Sequence, residues 1–285
     1  MLLVDKKENG KDINLKELKD VFSVEALNKD FFKSYKTQYE KFWRYLAAED
    51  NPFRKQLIDT EKETKEKQEK PIRDFVKKLL GRIVFLYFLQ KKGWMGCPAH
   101  SSAYINGDLN FMRDLFQDFS KKEKFHSKCL SELFFKTLNT KRPYDIFTVE
   151  GLNGILNGSK VPYLNGGLFE PEKNPITAQM DFPIDYFNDL LEFFDQYNFT
   201  IDENSPDDHE VGIDPEMLRH IFENLLEENR EKGAFYTPKE IVQYMCKESL
   251  IQYLLNTFSE NKEDIEQFIR TNIVTNFLRQ KDNAI

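Results

Sequence analysis

The chain has 285 residues, of which 40% are hydrophobic and 31% charged, and its formal net charge is -7 at pH 7. With only 12 Gly and 11 Pro, the composition excludes collagen-like and low-complexity chains, and the apolar content suffices for a packed core. Three cysteines do not make the disulfide framework of a small secreted protein. The start lacks a secretory signal, and the longest apolar run, residues 83–89, is too short to span a membrane. We therefore expect a cytoplasmic protein with no membrane partner.

The charge is unevenly distributed along the chain. Residues 1–142 carry about 30 basic and 21 acidic side chains, whereas residues 143–230 carry about 4 and 19. Such asymmetry indicates either a half of the molecule that faces nucleic acid or two solvated faces of opposite sign.

Most of the chain shows apolar residues at helical spacing. The predicted helices, in chain order, are 13–48, 71–92, 109–118, 123–138, 183–197, 214–228, 238–256 and 260–271. The polar tract 61–70 fits either a mobile loop or an exposed helix, and the acidic stretch 202–212 fits a hinge or an exposed loop.

The clearest of these helices begins at Pro71. Its apolar residues follow an i, i+3, i+4, i+7 series from Ile72 to Phe88, and Leu86 and Leu89 occupy the other side. The second half of this helix should therefore be buried nearly all round. Gly93 supplies the expected C-terminal stop.

Residues 144–170 differ from the helical remainder. Residues 146–149 are β-branched and aromatic, as in a strand, and Asn-Gly turn dipeptides recur after them. The glycines at 151, 154 and 158 fit neither a dinucleotide fingerprint nor a P-loop, so they are predicted to be turn glycines. The predicted fold class is all-α, with a small β-hairpin or ordered-loop excursion near 144–170.

Two short Cys/His pairs raise the possibility of zinc. Cys97 lies three residues before His100, and His126 three residues before Cys129. The order of ligand types is unusual for a zinc site, so ordinary buried or surface side chains are favoured and no metal ligand is assigned. We also find no catalytic triad, nucleophile elbow or metalloprotease helix, and we assign no catalytic residue.

The segment 231–242 carries the most information. Locally it predicts the start of a helix: Thr237 is the N-cap, Pro238 takes the first helical position, and Glu240 completes a capping box. Capping alone would account for these residues. A helix N-terminus also suits an anionic ligand, because its unpaired N–H groups and partial positive charge face outward.

In wider context, the Gly-Ala-Phe-Tyr-Thr-Pro segment at 233–238 resembles a motif at the start of the adenine-specific DNA methyltransferase domain of type I and type IIG restriction–modification enzymes. Four further segments are similar to the type IIG group, namely 22–27 (FSVEAL), 82–96 (RIVFLYFLQKKGWMG), 162–171 (PYLNGGLFEP) and 218–226 (LRHIFENLL). The resemblance therefore extends over nearly the whole chain.

This resemblance implies a site for S-adenosylmethionine. Its expected contacts are Gly233, Ala234, Phe235, Tyr236, Thr237 and Pro238. It further implies a helical connector at 1–230 and the first helices of an incomplete methyltransferase domain at 231–285.

The family's glycine-rich and Asn-Pro-Pro motifs, the second of which holds a flipped adenine, are not found in this sequence. We therefore expect the fragment alone to be inactive. The intact parent would methylate adenine and cleave unmodified double-stranded DNA. The flanking nuclease and methyltransferase domains would belong to the same chain, and the nuclease's divalent metal would bind outside this region.

A basic cluster in the N-terminal half could contact DNA phosphates. Its members are Lys77, Lys78, Arg82, Lys91 and Lys92. The competing interpretation of the whole chain is a non-enzymatic helical scaffold that binds a partner protein.

Overall fold

The computed structural model describes residues 24–164, 166–199, 212–213, 237, 239–257 and 262–271. The chain divides into two compact units, Met1–Glu227 and Glu228–Ile285. The described part is mostly helical, which confirms the predicted all-α class. None of its helices is both long and apolar enough to cross a lipid bilayer.

Two long helices form the centre of the first unit. Helix α1 spans Val24–Ala47 and helix α2 spans Lys70–Lys91, and they pack against each other. The predicted burial of α2 is confirmed, because every residue from Leu79 to Gln90 except Phe85 is buried. Gly93 follows α2 with φ +68°, the left-handed conformation of a helix stop.

Shorter helices complete this unit. They are α3, Phe111–Asp118, and α4, Ile184–Asp195, with single turns at Arg54–Leu57 and Lys65–Gln68. The predicted helix at 123–138 begins with a 3-10 turn at Lys122–Lys124 and continues as π-helix over Phe125–Leu130 and Glu132–Leu138. Apolar periodicity thus located this helix but did not reveal its wider winding.

Aromatic rings fill the core between α1, α2 and α4. Phe31 lies 5.2 Å from Phe193 between ring centroids, and Phe42 lies 4.8 Å from Phe182. On the α2 side, Tyr87 lies 4.9 Å from Phe194. Each such buried ring contributes on the order of 1.5–3 kcal/mol through removal of apolar surface from water. Phenylalanine side chains thus supply much of the described core.

The excursion near 144–170 is an ordered loop held by isolated backbone bridges. Lys160 pairs antiparallel with both Cys97 and Ile146, and Leu152 pairs with Phe119. The strand-like run at 146–149 therefore contributes one bridge, between Ile146 and Lys160, and no extended strand. Glycines 151, 154 and 158 have φ of +86°, +73° and +99°, which confirms them as turn glycines.

The described part also contains one small parallel pairing, between β1, Asn198–Phe199, and β2, Gly212–Ile213. The remaining short turns are 3-10 helices at Pro143–Asp145, Gly167–Phe169 and Pro175–Gln179. The predicted helix at 214–228 lies outside the described residues, as does the predicted start of the first helix before residue 24.

The second unit contains two described helices, α5 at Lys239–Thr257 and α6 at Lys262–Thr271. They match the predicted helices 238–256 and 260–271 within a few residues. Ile251 of α5 is buried, as are Ile265 and Ile269 of α6. Arg270 Nη1 lies 2.8 Å from Glu248 Oε1 and joins the two helices at the surface.

Candidate functional site

The predicted cofactor segment lies immediately before α5. Thr237 is exposed, two residues ahead of the first residue of the helix. The other five predicted contacts, Gly233 to Tyr236 and Pro238, lie outside the described residues. The arrangement leaves the Thr237 hydroxyl accessible to a ligand at the start of a 19-residue helix.

Helix α5 exposes an unusual amount of apolar surface. Only Ile251 is fully buried among its described large apolar side chains. Six others are at least 44% exposed, namely Ile241, Val242, Tyr244, Met245, Leu250 and Tyr253. Cys246 is also exposed. Exposure of this many large apolar side chains on one helix is typical of a surface that another element covers.

The predicted phosphate contacts divide into inward and outward groups. Arg82 is 1% exposed and Lys77 is 5% exposed, so both point into the protein. Lys78 is about a third exposed and lies 3.1 Å from Glu172 Oε1. Lys91 and Lys92 are exposed at the end of α2, where the Lys91 ammonium donates to Asn198 Oδ1 at 2.8 Å.

Arg82 instead anchors the loop 166–172. Its Nε donates to the Leu168 carbonyl at 2.7 Å and its Nη2 to the Glu170 carbonyl at 2.6 Å, and Nη2 also lies 3.0 Å from Glu172 Oε1. Burial lowers the pKa of the guanidinium to about 10, against the opposing effect of Glu172, so Arg82 stays charged at neutral pH. Two segments that carry the family resemblance, 82–96 and 162–171, are thereby joined.

The Cys/His pairs occupy mostly buried positions. The Cys97 thiol donates to the Gly93 carbonyl at 3.3 Å, and His126 Nδ1 lies 2.7 Å from the Met180 carbonyl oxygen. Burial lowers the pKa of His126 to about 4, so its ring is neutral at pH 7. Within the described ranges, no three His, Cys, Asp or Glu side chains group as metal ligands.

Sequence reasoning did not identify the carboxylates around Asp114. Burial, a hydrogen bond with Asp108 and the nearby charges of Asp118 and Asp195 raise the pKa of Asp114 to about 6. Asp108 and Asp114 line an open groove of about 600 Å³ between the loops 96–108 and 155–159. Asp114 and Asp118 lie four residues apart on α3, so helical spacing alone could have paired them, whereas only the fold brings Asp195 and the loop 155–159 close to Asp114.

A second, smaller cavity of about 230 Å³ lies where α2 and α4 end. Its lining includes Lys91, Asn110, Asp195 and Asn198. The Asp195 carboxylate is engaged by Tyr87 Oη at 2.9 Å and by Arg113 Nε at 2.6 Å. The Asp195 carboxylate at this cavity is therefore already paired with Arg113, while the Lys91 ammonium contacts only the neutral Asn198 amide among the described residues.

Comparison with known proteins gives one informative similarity. No protein-family model matches the chain, and no solved structure is significantly similar to it. Over 299 aligned residues, covering 89% of the chain, it is 27% identical to a Methanocaldococcus jannaschii protein named "Putative type II restriction enzyme and methyltransferase". The chain spans 24% of the length of that relative. The similarity supports a relationship to restriction–modification proteins in general.

Proposed function

We propose that this chain is the connector region, with the beginning of the methyltransferase domain, of a type IIG restriction–modification protein. That protein would transfer a methyl group from S-adenosylmethionine to adenine in double-stranded DNA, and it would cleave unmodified DNA. The single observation that carries the proposal is the similarity to the M. jannaschii protein over 89% of the chain. The ordered set of resembling segments supports the finer assignment to type IIG and to adenine.

In this proposal residues 1–230 fix the spacing between a nuclease and a methyltransferase. A connector of that kind must be stiff, because a mobile one would not couple two active sites on one DNA. The aromatic core and the Arg82 anchor supply stiffness across α2 and the loop 166–172. The nuclease and its divalent metal would lie in a flanking domain of the same cytoplasmic protein.

Residues 231–285 would then begin the methyltransferase domain. Gly233 to Pro238 would contact S-adenosylmethionine, with the Thr237 hydroxyl and the N–H groups of α5 binding the carboxylate of the methionine moiety. Tyr236 and Phe235 would provide an aromatic wall. The exposed apolar side chains of α5 are consistent with a helix that the rest of this domain covers.

Methyl transfer tests this proposal directly. The 285-residue chain should transfer no tritiated methyl group to duplex DNA. The protein translated from the reading frame past Ile285 should produce N6-methyladenine, because the continuation should encode the glycine-rich and Asn-Pro-Pro motifs. Transfer by the 285-residue chain, or a cytosine product, would contradict the proposal.

The contact residues are tested in the longer protein by calorimetry. Tyr236→Ala and Thr237→Ala should each weaken S-adenosylmethionine binding while the melting temperature stays unchanged. Ser259→Ala, outside the proposed contacts, serves as the control. Unchanged affinity for S-adenosylmethionine in both variants would mean that the segment only caps a helix and does not bind the cofactor.

The alternative function is a non-enzymatic helical scaffold for a partner protein. The exposed apolar side chains of α5 favour it, because a partner could cover them equally well. A coding sequence that continues past Ile285 without either methyltransferase motif would support this alternative over the enzyme.

A further inference from the structure

The cavity where α2 and α4 end, which we call the α2–α4 cavity, contains a buried amide with unused donors. Gln90 lines this cavity of about 230 Å³ and is only 6% exposed. Its Oε1 accepts a hydrogen bond from the Met112 N–H at 3.0 Å, which fixes the orientation of the amide. The Nε2 group has no hydrogen-bond partner among the described residues. Because the fully enclosed unpaired polar atoms of the described part are all elsewhere, Nε2 is open to the cavity that Gln90 lines.

Lys91 adds a positive charge to the same lining. Its ammonium donates one hydrogen bond, to Asn198 Oδ1 at 2.8 Å, and no described carboxylate lies within ion-pair distance of it. Among the described lining residues, Asp195 is the only carboxylate, and it is held by Arg113 at 2.6 Å and by Tyr87 Oη at 2.9 Å. The charge of Lys91 is therefore not neutralised by a neighbouring anion.

The start of α3 contributes further donors. Asn110 immediately precedes α3 and lines the cavity with a side chain that makes no capping hydrogen bond. The Met112 N–H belongs to the first turn of this helix, so its hydrogen bond to Gln90 polarises the amide toward donation into the cavity. At the ends of α2 and α4, the carbonyls of residues 88–90 and 193–194 already accept backbone hydrogen bonds. The unused groups that face the cavity are therefore mainly donors.

Unused donors around a positive charge suit an anionic ligand that is rich in acceptor oxygens. A phosphate group has this chemistry, and ammonium groups, side-chain amides and helix N-termini are frequent phosphate contacts. We propose that the α2–α4 cavity binds a phosphate group through Gln90 Nε2, Lys91 Nζ and the Asn110 side chain. The backbone of duplex DNA and a free nucleotide are the two sources of such a group. The choice of DNA as a source rests on the proposed function.

Titration of the 285-residue chain with inorganic phosphate, followed by phosphorus-31 NMR, tests the site. Lys91→Gln should weaken phosphate binding about tenfold, because a charged hydrogen bond is lost. Lys92→Gln is the matched control, since this adjacent lysine is also exposed but is not part of the described lining. The control should bind phosphate like the unchanged chain. Equal losses in the two variants, or no phosphate binding by the unchanged chain at low salt, would overturn the proposal.

Gln90→Glu tests the buried amide separately. The glutamate keeps an oxygen that accepts from the Met112 N–H, but it replaces the Nε2 donor with a second oxygen. Phosphate binding should then be lost, because that oxygen repels the anion. Retained phosphate affinity in the folded variant would overturn the proposal. The melting temperature shows whether the variant folds, and the comparison of the two lysine variants decides the proposal if it does not.

Fluorescence anisotropy with a labelled duplex distinguishes the two sources. If DNA supplies the phosphate, Lys91→Gln should reduce the slope of log K against log salt by about 0.9, the value for one phosphate contact, and Lys92→Gln should not. If a nucleotide supplies it, both variants should bind the duplex equally, and adenosine monophosphate should displace inorganic phosphate from the unchanged chain. If neither the duplex nor the nucleotide distinguishes Lys91 from Lys92, the site assignment is wrong.

The phosphate titration is independent of methyl transfer. If the longer protein methylates adenine while the two lysine variants bind phosphate equally, only the cavity assignment fails. If the longer protein transfers no methyl group while Lys91→Gln alone loses phosphate affinity, only the enzymatic assignment fails.

Discussion

Helices α2 and α5 are similar in length and both rich in apolar residues, but their surroundings differ. Of the 22 residues of α2, 16 are buried, including every large apolar side chain except Phe85. In the 19-residue α5, Ile251 is buried while six other large apolar side chains are exposed. Apolar-rich helical sequence is thus buried in the first unit and largely exposed in the second.

The largest expected effect on stability is at Arg82, whose charged guanidinium is buried in the first unit. Arg82→Met should destabilise the chain by about 3–5 kcal/mol, because Glu172 and two backbone carbonyls lose their buried donor. Urea denaturation measures the change. Lys78→Met removes the more exposed partner of the same carboxylate and should cost about 1 kcal/mol or less. Equal losses in the two variants would contradict the anchoring role.

Shortening a buried side chain in the middle of α2 should also lower the stability of the chain. Ile83 is fully buried, so Ile83→Ala should lower the free energy of unfolding by about 2–4 kcal/mol through lost burial and a residual cavity. The measurement is the midpoint of urea unfolding at constant slope. A loss below about 1 kcal/mol would mean that α2 is less tightly packed than its burial indicates.

The closed core also excludes protonation at His126. Its pKa of about 4 in the folded state is below the value of about 6.5 in an unfolded chain. The unfolded state therefore binds the proton first, and stability falls as the pH drops from about 6.5 to 4, by about 3 kcal/mol in total. Asp114 changes the stability in the opposite direction. Because its pKa is raised in the folded state, the folded protein binds this proton first, and protonation of Asp114 stabilises the fold as the pH drops over the same range.

A comparison with His126→Asn isolates the histidine, because the amide retains a donor for the Met180 carbonyl. The stability difference between the two proteins should be constant above pH 7 and should shift in favour of the variant as the pH approaches 4. If the stabilities of the two proteins changed with pH in parallel, groups other than His126 would cause the acid sensitivity.

The smallest expected effect is on α5. Tyr253 is 68% exposed, so Tyr253→Ala should change the stability of the 285-residue chain by about 0.5 kcal/mol or less. In the longer protein the same change should cost more, because the ring would then be covered. Equal small effects in both proteins would argue against a covering domain.

Apolar periodicity located well the helices that the structure describes. The helix stop at Gly93 followed from the same pattern. It also contained a signal about Arg82 that the charge argument missed. A helix buried all round in its second half leaves no outward position there for a guanidinium.

Other features required three-dimensional placement. The hydrogen bonds from Arg82 connect residues 86 and 88 positions apart, and the bridge from Cys97 reaches Lys160. The π-helical winding at 125–138 was not indicated by the apolar spacing that located the helix. The cofactor contacts at 233–238 were predicted from the family resemblance alone, and they stay predictions.

The distribution of the three cysteines has a practical consequence. Cys97 and Cys129 are buried and burial raises the pKa of both thiols, whereas Cys246 is exposed on α5. A maleimide dye should therefore attach at one position without any mutagenesis. The emission of the dye would shift when a neighbouring domain covers α5. Labelled Cys246 would therefore report the association of α5 with that domain.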